Sequence, residues 1–313
     1  MGIYSVADIT LADIKSTEYD MAFVASGYED RCTYLSTLVA PDQVVQRAVL
    51  SFEGLRDGPS RESHDKFLGE RWGTKPVVVS SEDDAPVYAV LNGLARGGHD
   101  QLKILVDYSS MSRLWYAAVL NWARLGGFRG QIIVDLAYSV GQYEAEPSPM
   151  VIHEMLAVPG CEGGTIGLGR SIAAFGLGSN GWASLCVLER VEADTVFAYV
   201  ADPGATSDYG RAVIRKNKDF LSESRVEGDV LRLPLRSVAT SYRHLAELIA
   251  PHLPHDVVAL VPMGPKPHVL ASMLVAMRFR AVACLRVSAK RDRPESISAT
   301  GEVIASRITV VGR

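Results

Sequence analysis

The chain is poor in cysteine, and its few cysteines form no recognisable metal-binding or disulfide motif. Cys32, Cys161, Cys186 and Cys284 are widely spaced and include no CxxC pair. Such spacing does not indicate a disulfide framework, and it fits a reducing compartment. The sequence also lacks HExxH and any cluster of cysteine and histidine, so it predicts neither a metal centre nor a resident cofactor.

Long apolar runs and an excess of basic residues are missing as well. No run reaches the ~18 residues of a membrane-spanning helix, and the N-terminal stretch MGIYSVADITLADIKS carries acidic residues instead of an apolar signal core. Thirty-six acidic against 32 basic residues give a net charge of −4, which disfavours general nucleic-acid binding. We therefore expect a cytoplasmic protein without a membrane segment, in which a local basic pocket remains possible.

Short apolar runs alternate with stretches of helical spacing along the whole chain. This pattern predicts an α/β fold with mostly parallel sheets flanked by helices. In the first half it predicts a long polar loop after residue 52, and the strands 21–26, 45–52, 76–80, 103–107 and 131–138 with the helices 30–39, 86–96 and 112–125.

The second half repeats this order of elements. SIAAFGLGSNGWASLCVLER follows the pattern of DMAFVASGYEDRCTYLSTLV, and HDVVALVPMGPKPHVLASMLVAM follows that of DQLKILVDYSSMSRLWYAAVLNW. The ends pair too, because GEVIASRITVVG matches PMVIHEMLAVPG. We therefore predict two tandem Rossmann-like units related by internal duplication, at residues 1–158 and 159–313.

Polar, glycine-containing turns follow the predicted strands. Ligands of open parallel sheets gather outside the carboxyl ends of the strands, where helix N-termini favour phosphate. The candidate ligand-binding residues on these turns are Ser26, Gly27, Arg31, Asp107, Ser109, Ser110 and Arg113 in the first half and Gly178, Ser179, Gly264 and Lys266 in the second. No catalytic residue is singled out by the sequence.

The turn DYSSMSR, residues 107–113, carries the strongest of these signals. We expect Ser109 or Ser110 to cap the following helix and Arg113, in its first turn, to reach an anion held by the capped amides. The alternative is a plain helix cap with Arg113 paired to Asp107. Arg31 is open between two interpretations, a ligand contact and a solvated surface residue.

Asp107, Ser109 and Arg113 match the pattern Asp/Asn-x-Ser/Thr-x-x-x-Arg/Lys after the fourth strand of a Rossmann-like domain. In this the chain resembles the CRISPR-associated Rossmann-fold (CARF) domains, and as a tandem pseudo-dimer it resembles the related SAVED domains. The resemblance implies that a cyclic oligonucleotide binds in the groove between paired units. Carried over to this sequence, it implicates Ser26, Gly27, Ser109 and Arg113 in one unit and Gly178, Ser179, Gly264 and Lys266 in the other.

The function that this resemblance implies is a nucleotide second-messenger sensor or regulatory subunit in prokaryotic antiviral defence, acting on an effector protein partner. Two alternatives stay open. One is a metal-independent, ring-nuclease-like phosphodiesterase, in which Arg113 and Lys266 stabilise charge at the reacting phosphate. The other is a different Rossmann-type nucleotide enzyme, because Gly176, Gly178 and Gly181 meet the spacing GxGxxG, a weak signal by itself.

Overall fold

Two mostly parallel β-sheets flanked by helices organise the chain in a computed structural model, which confirms the predicted α/β class. The structure describes residues 3–54, 59–94, 100–126, 128, 130–142, 150–164, 169–253, 255–291 and 296–311. Two compact units emerge: residues 1–143 with 294–313 form the first, and residues 144–293 form the second.

The first unit contains a seven-stranded sheet. Its strands are β1 (Ile3–Ile9), β2 (Tyr19–Ser26), β3 (Val44–Phe52), β4 (Val77–Val79), β5 (Gln101–Asp107), β6 (Gln131–Gly141) and, from the C-terminal end of the chain, β13 (Ala299–Val311). They lie in the order β4-β3-β2-β5-β6-β13-β1. The described helices of this unit are α1 (Leu11–Ser16), α2 (Tyr34–Leu38), α3 (Pro59–Trp72), α4 (Ala85–Leu94) and α5 (Arg113–Leu125), with short 3₁₀ turns at Asp30–Thr33 and Pro41–Gln43.

The second unit contains a six-stranded sheet. Its strands are β7 (Met150–Glu162), β8 (Ser171–Gly176), β9 (Thr195–Ala201), β10 (Leu231–Leu233), β11 (Val257–Pro262) and β12 (Val282–Arg291), in the order β10-β9-β8-β11-β12-β7. The described helices of this unit are α6 (Gly181–Val191), α7 (Tyr209–Lys216), α8 (Lys218–Leu221), α9 (Val238–Ile249) and α10 (Lys266–Arg278), with a 3₁₀ turn at Ala250–His252.

The two sheets have equivalent strand orders, which supports the predicted duplication. From one edge, β4-β3-β2-β5-β6 in the first sheet corresponds to β10-β9-β8-β11-β12 in the second, and these neighbours are all parallel. Each series is followed by one antiparallel strand, β13 on β6 and β7 on β12. The first sheet then adds β1, which pairs with β13.

The antiparallel strands are exchanged between the two halves of the sequence. Strand β7 follows β6 along the chain but pairs with β12, while β13 follows β12 but pairs with β6. The expected boundary after residue 158 therefore falls inside β7, and the division at residues 143 and 293 replaces it. Equivalent runs of apolar residues show that both strands exist, but hydrogen-bond pairing decides which sheet receives each strand.

A buried ion pair ties the C-terminal strand to the first sheet. Arg307 on β13 donates from Nε and Nη2 to the carboxylate of Asp135 on β6, at 2.8 and 2.7 Å. Asp135 is fully buried and also accepts a hydrogen bond of 2.8 Å from the hydroxyl of Tyr19 on β2. A bidentate contact of this kind adds geometric specificity to the pairing of the strand.

Residues 59–72 form a helix where the sequence analysis predicted a loop, so that prediction is wrong. Leu68 and Trp72 of α3 pack into the core against Val24 and Val49. The first turns of α3 bury polar side chains instead, among them Arg61 at 2% exposure. An apolar stripe that covers only the second half of a helix does not produce the helical hydrophobic period, which explains the error.

Candidate functional site

The turn after β2 lies at the carboxyl end of the first sheet, held by the side chain of Arg31. Its Nε donates to Glu29 Oε2 at 2.8 Å, and its Nη1 donates to the hydroxyl of Tyr138 at 2.8 Å. Arg31 is 6% exposed, so it is not a solvated surface residue. Burial by itself lowers the pKa of Arg31, but Tyr138 and Glu29 raise it above its ordinary value, and the guanidinium keeps its charge.

The turns after β2 and β5 meet at Gly27 and Ser110. A β-carbon added to Gly27 would lie 3.5 Å from that of Ser110. The Ser110 hydroxyl donates to Glu29 Oε2 at 3.1 Å, the same oxygen that Arg31 binds. The structure thus brings three of the predicted residues, Gly27, Arg31 and Ser110, together around the carboxylate of Glu29.

Asp107 and Ser109 form the base of the turn after β5. Both the backbone N–H and the hydroxyl of Ser109 donate to Asp107 Oδ1, at 3.0 and 2.5 Å. The Ser109 hydroxyl in turn accepts a 2.7 Å hydrogen bond from the backbone N–H of Ser139 on β6. Both residues are buried, so they shape the turn from beneath.

Ser112 caps α5, in place of the predicted Ser109 or Ser110. Its hydroxyl accepts from the backbone N–H of Leu114 at 3.3 Å and donates to Ser81 O at 2.8 Å. Arg113 is the first residue of the helix, and its side chain is half-buried. The alternative pairing with Asp107 is not seen, because no described residue forms an ion pair or hydrogen bond with the Arg113 side chain. Arg113 is therefore a half-buried cation at a helix N-terminus, without a partner among the described residues.

Buried serines line the carboxyl ends of four neighbouring strands. They are Ser51 on β3, Ser26 on β2, Ser109 after β5 and Ser139 on β6, all 0–1% exposed. Ser26 and Ser51 are direct partners in the pairing of β2 with β3. Within the described part of the chain, no hydrogen bond reaches the hydroxyls of Ser26 and Ser139. Buried hydroxyls normally find partners, so the hydroxyls of Ser26 and Ser139 are exceptions among the described residues.

Helix α3 contributes three residues that the sequence analysis missed. Arg61 Nη2 donates to the Ser51 hydroxyl at 2.6 Å and to Phe52 O at 2.8 Å, and the same hydroxyl donates to Asp65 at 2.9 Å. His64 Nδ1 lies 2.9 Å from Gly27 O, so its N–H donates to this turn. The spacing of Arg61, His64 and Asp65 at i, i+3 and i+4 was the available signal, because it places all three on one helix face.

Cys32 lies next to these groups but is a poor candidate nucleophile. It is 1% exposed, and its thiol lies 3.9 Å from Gly27 O. Burial raises the pKa of Cys32 to about 12. The thiolate is the reactive form, so this thiol stays unreactive at neutral pH.

Close backbone contacts hold the equivalent turns of the second unit. A β-carbon on Gly178 would lie 2.4 Å from Met263 O, and one on Gly264 would lie 2.9 Å from Leu177 O. The turns after β8 and β11 therefore interlock, and glycine is required where they touch. Ser179 and Lys266 are half-buried on these turns, Lys266 as the first residue of α10. The structure thus brings Gly178 and Gly264 together through their backbones.

His268 lies in the first turn of α10. It is 1% exposed, and within the described residues its Nε2 has no hydrogen-bond partner. Burial lowers its pKa to about 4, so the ring is neutral at physiological pH.

Within the described residues no group of three or more His, Cys, Asp or Glu side chains could hold a metal ion. No described helix is long and apolar enough to cross a membrane.

No protein-family model and no curated protein sequence matches the chain.

Proposed function

We propose that this protein is a nucleotide sensor or regulatory subunit that binds a second messenger of the cyclic oligonucleotide type. The ligand binds at the carboxyl ends of the parallel strands, as in the CARF and SAVED domains that the chain resembles. In this proposal the protein works in prokaryotic antiviral defence and passes the signal to an effector protein partner.

Arg113 is the observation that carries the proposal. It starts α5, whose N-terminus favours phosphate, and it has no protein partner among the described residues. The carboxylate of Glu29, which lies beside this turn, is held by the buried cation of Arg31 and so repels an anion less. A guanidinium fork can donate two hydrogen bonds to one phosphate, which suits a phosphodiester ligand.

Sensing ranks ahead of cleavage because the candidate catalytic groups are occupied. The Ser109 hydroxyl donates to Asp107 and accepts from Ser139, so it is not placed to orient a reacting phosphate. His64 is bonded to Gly27 O through one nitrogen and lies 3.4 Å from Asp30 through the other. A ring-nuclease-like activity would depend on positioning and on the charges of Arg113 and Lys266.

Calorimetric titration with a panel of cyclic di-, tri-, tetra- and hexanucleotides tests the proposal. One member should bind, and Arg113→Ala should weaken it about 10- to 100-fold, the value of a charged bidentate contact. Arg190→Ala, which removes an exposed arginine from the last turn of α6, is the matched control and should leave affinity unchanged. Mass analysis of the recovered ligand separates sensor from nuclease. Equal affinity of Arg113→Ala and wild type would remove the site.

A further inference from the structure

Trp182 is exposed, unlike the other tryptophans of the chain. Its exposure is 70%, whereas Trp72, Trp115 and Trp122 are at most 3% exposed. It is the second residue of α6 and lies in the turn after β8, at the carboxyl end of the second sheet. An isolated tryptophan at such an edge loses the stabilisation that burial would give, so a role in recognition is a physical reason to keep it there.

The backbone beside Trp182 is ready to bind an anion. Helix α6 has 11 residues, and Asn180 caps it by accepting from the N–H of Ala183 at 3.0 Å. The N–H of Ser184 is bonded to Asn180 O at 3.2 Å. No described residue accepts a hydrogen bond from the N–H groups of Gly181 and Trp182. Two free amides at the positive end of a helix dipole favour a phosphate group.

A buried amide behind the turn independently indicates a missing partner. Asn217 is 1% exposed, and its Nδ2 donates to Gly178 O at 2.9 Å and to Val213 O at 2.8 Å. Its Oδ1 receives no hydrogen bond from any described residue. A buried acceptor without a donor is uncommon in proteins, and a molecule with hydroxyl or amine donors bound at the turn would explain it.

The turn is also surrounded by close backbone contacts. Gly178 is in backbone contact with Met263 O, and a β-carbon on Gly181 would lie 1.8 Å from Lys216 O. These contacts fix the backbone of the turn from two sides. A site that is fixed before binding pays less conformational entropy when its ligand arrives.

We propose that residues 179–182, the α6 turn, bind one nucleotide of the ligand, with the base stacked on the Trp182 indole and the phosphate on the amides of Gly181 and Trp182. Ser179 adds a hydroxyl donor to the phosphate. The proposal rests on the proposed function and names a base-recognising residue for it. Because every base has a π-face, stacking on Trp182 gives affinity for nucleotides with little dependence on the base.

Fluorescence tests the proposal directly, because the solvent-exposed indole is chemically distinct from the three buried ones. The four nucleoside 5′-monophosphates should each quench the red-shifted emission of Trp182, while inorganic phosphate should not. Acrylamide should quench the same emission in the free protein and less in the nucleotide-bound protein. Emission that no monophosphate changes at millimolar concentration would overturn the proposal.

Two variants then separate stacking from folding. Trp182→Ala should weaken nucleotide binding by about 10-fold or more, the usual effect of losing one stacked base, and Trp182→Phe should recover most of it. The affinity for inorganic phosphate should be equal in the wild type, Trp182→Ala and Trp182→Phe. Leu156→Ala, which trims another exposed apolar residue of the second unit, should bind like the wild type.

The outcomes also distinguish this proposal from the one on which it rests. If Arg113→Ala weakens the cyclic ligand but Trp182→Ala does not, the sensor proposal stands and the role of Trp182 is refuted. If Trp182→Ala and Trp182→Phe lose binding equally, a packing defect replaces stacking and the proposal fails. If no nucleotide of either panel binds, both proposals fall.

Discussion

The two units share one strand order but build their carboxyl edges from different chemistry. In the first unit, side chains close the edge: Arg31, Glu29 and Ser110 form one network, and Arg61 and Ser51 belong to another. In the second unit, glycine backbones close the equivalent edge through direct contact with neighbouring carbonyl groups. The comparison shows that the two units keep one strand order while the groups at the equivalent turns differ.

The two carboxyl edges should also respond differently to amino-acid substitutions. A network of charged and hydroxyl side chains loses hydrogen bonds when it is altered, but the backbone keeps its course. An edge made of interlocked backbone loses its shape as soon as one side chain is inserted. The first edge should therefore tolerate substitutions that the second edge does not.

The largest expected effect is a loss of unfolding free energy in Arg307→Ala. It tests whether β13 belongs to the sheet of the first unit. Arg307→Ala leaves the buried carboxylate of Asp135 unpaired, which costs about 3–5 kcal/mol in a buried pair. Arg307 is 31% exposed, so water can partly replace it and the loss should fall near 3 kcal/mol. Urea unfolding measures the loss, and hydrogen exchange should rise in β6 and β13 while β8 and β11 stay protected.

The exposed pair of Arg211 and Asp208 in the second unit provides the control. Both side chains are 66% exposed, and Arg211→Ala should leave the unfolding free energy unchanged within error. Faster exchange in the second unit on removing Arg307 would contradict the strand exchange.

A pair of glycine substitutions gives the next effect and sharpens the contrast between the two edges. Gly178→Ala forces a β-carbon to 2.4 Å from Met263 O, so it should cost about 1–3 kcal/mol of unfolding free energy. Gly27→Ala meets nothing closer than 3.5 Å and should be tolerated. Thermal and urea unfolding measure the change in unfolding free energy of each variant. Equal destabilisation would show that the two edges are built alike.

The pH dependence of the second unit gives the smallest effect near neutral pH, because it appears only below pH ~6.5. The pKa of His268 is lowered to about 4, below the ~6.5 of an unfolded chain. The unfolded state therefore binds the proton first. The stability contributed by the neutral ring is complete above pH ~6.5 and falls with pH, by at most ~1.4 kcal/mol per unit, until about pH 4.

The variant that isolates this titration is His268→Gln. Unfolding measured between pH 7 and 4.5 should show a flatter profile for the variant than for the wild type. His268 lies two residues after Lys266, and the equivalent position of the first unit, two residues after Arg113, is Trp115. Tryptophan does not titrate, so a pH dependence from this position distinguishes the second unit from the first. Profiles of equal slope would mean that His268 is not buried neutral.

Part of the candidate site was predictable because its residues follow apolar strands. The strand ends at Ser26 and Asp107 and the start of α5 near Arg113 all agree with the sequence pattern. The role of each residue was not predictable to the same degree. Ser109 bonds inward to Asp107, and Ser112 forms the cap, because the choice among neighbouring hydroxyls depends on backbone angles that the sequence does not display.

Other parts depended on contacts that are distant in the sequence. Arg31 is buried because Tyr138, 107 residues away, offers its hydroxyl. The polar face of α3 gave no apolar pattern, because it is formed by Arg61, His64 and Asp65. Such buried polar groups are stabilised by partners on other elements, which the sequence pattern does not show. Trp182 was visible in the sequence, but its exposure is a property of the folded surface.

The sequence alone determined the α/β class, the repeated order of elements and the location of the polar turns, because alternation of apolar runs is a local property with a fixed period. Only the tertiary structure decided that β7 and β13 change places, that α3 is a helix with a polar buried face, that Arg113 has no partner among the described residues and that Trp182 is exposed. Strand pairing and burial are sums over residues far apart in the chain, and no local pattern records them.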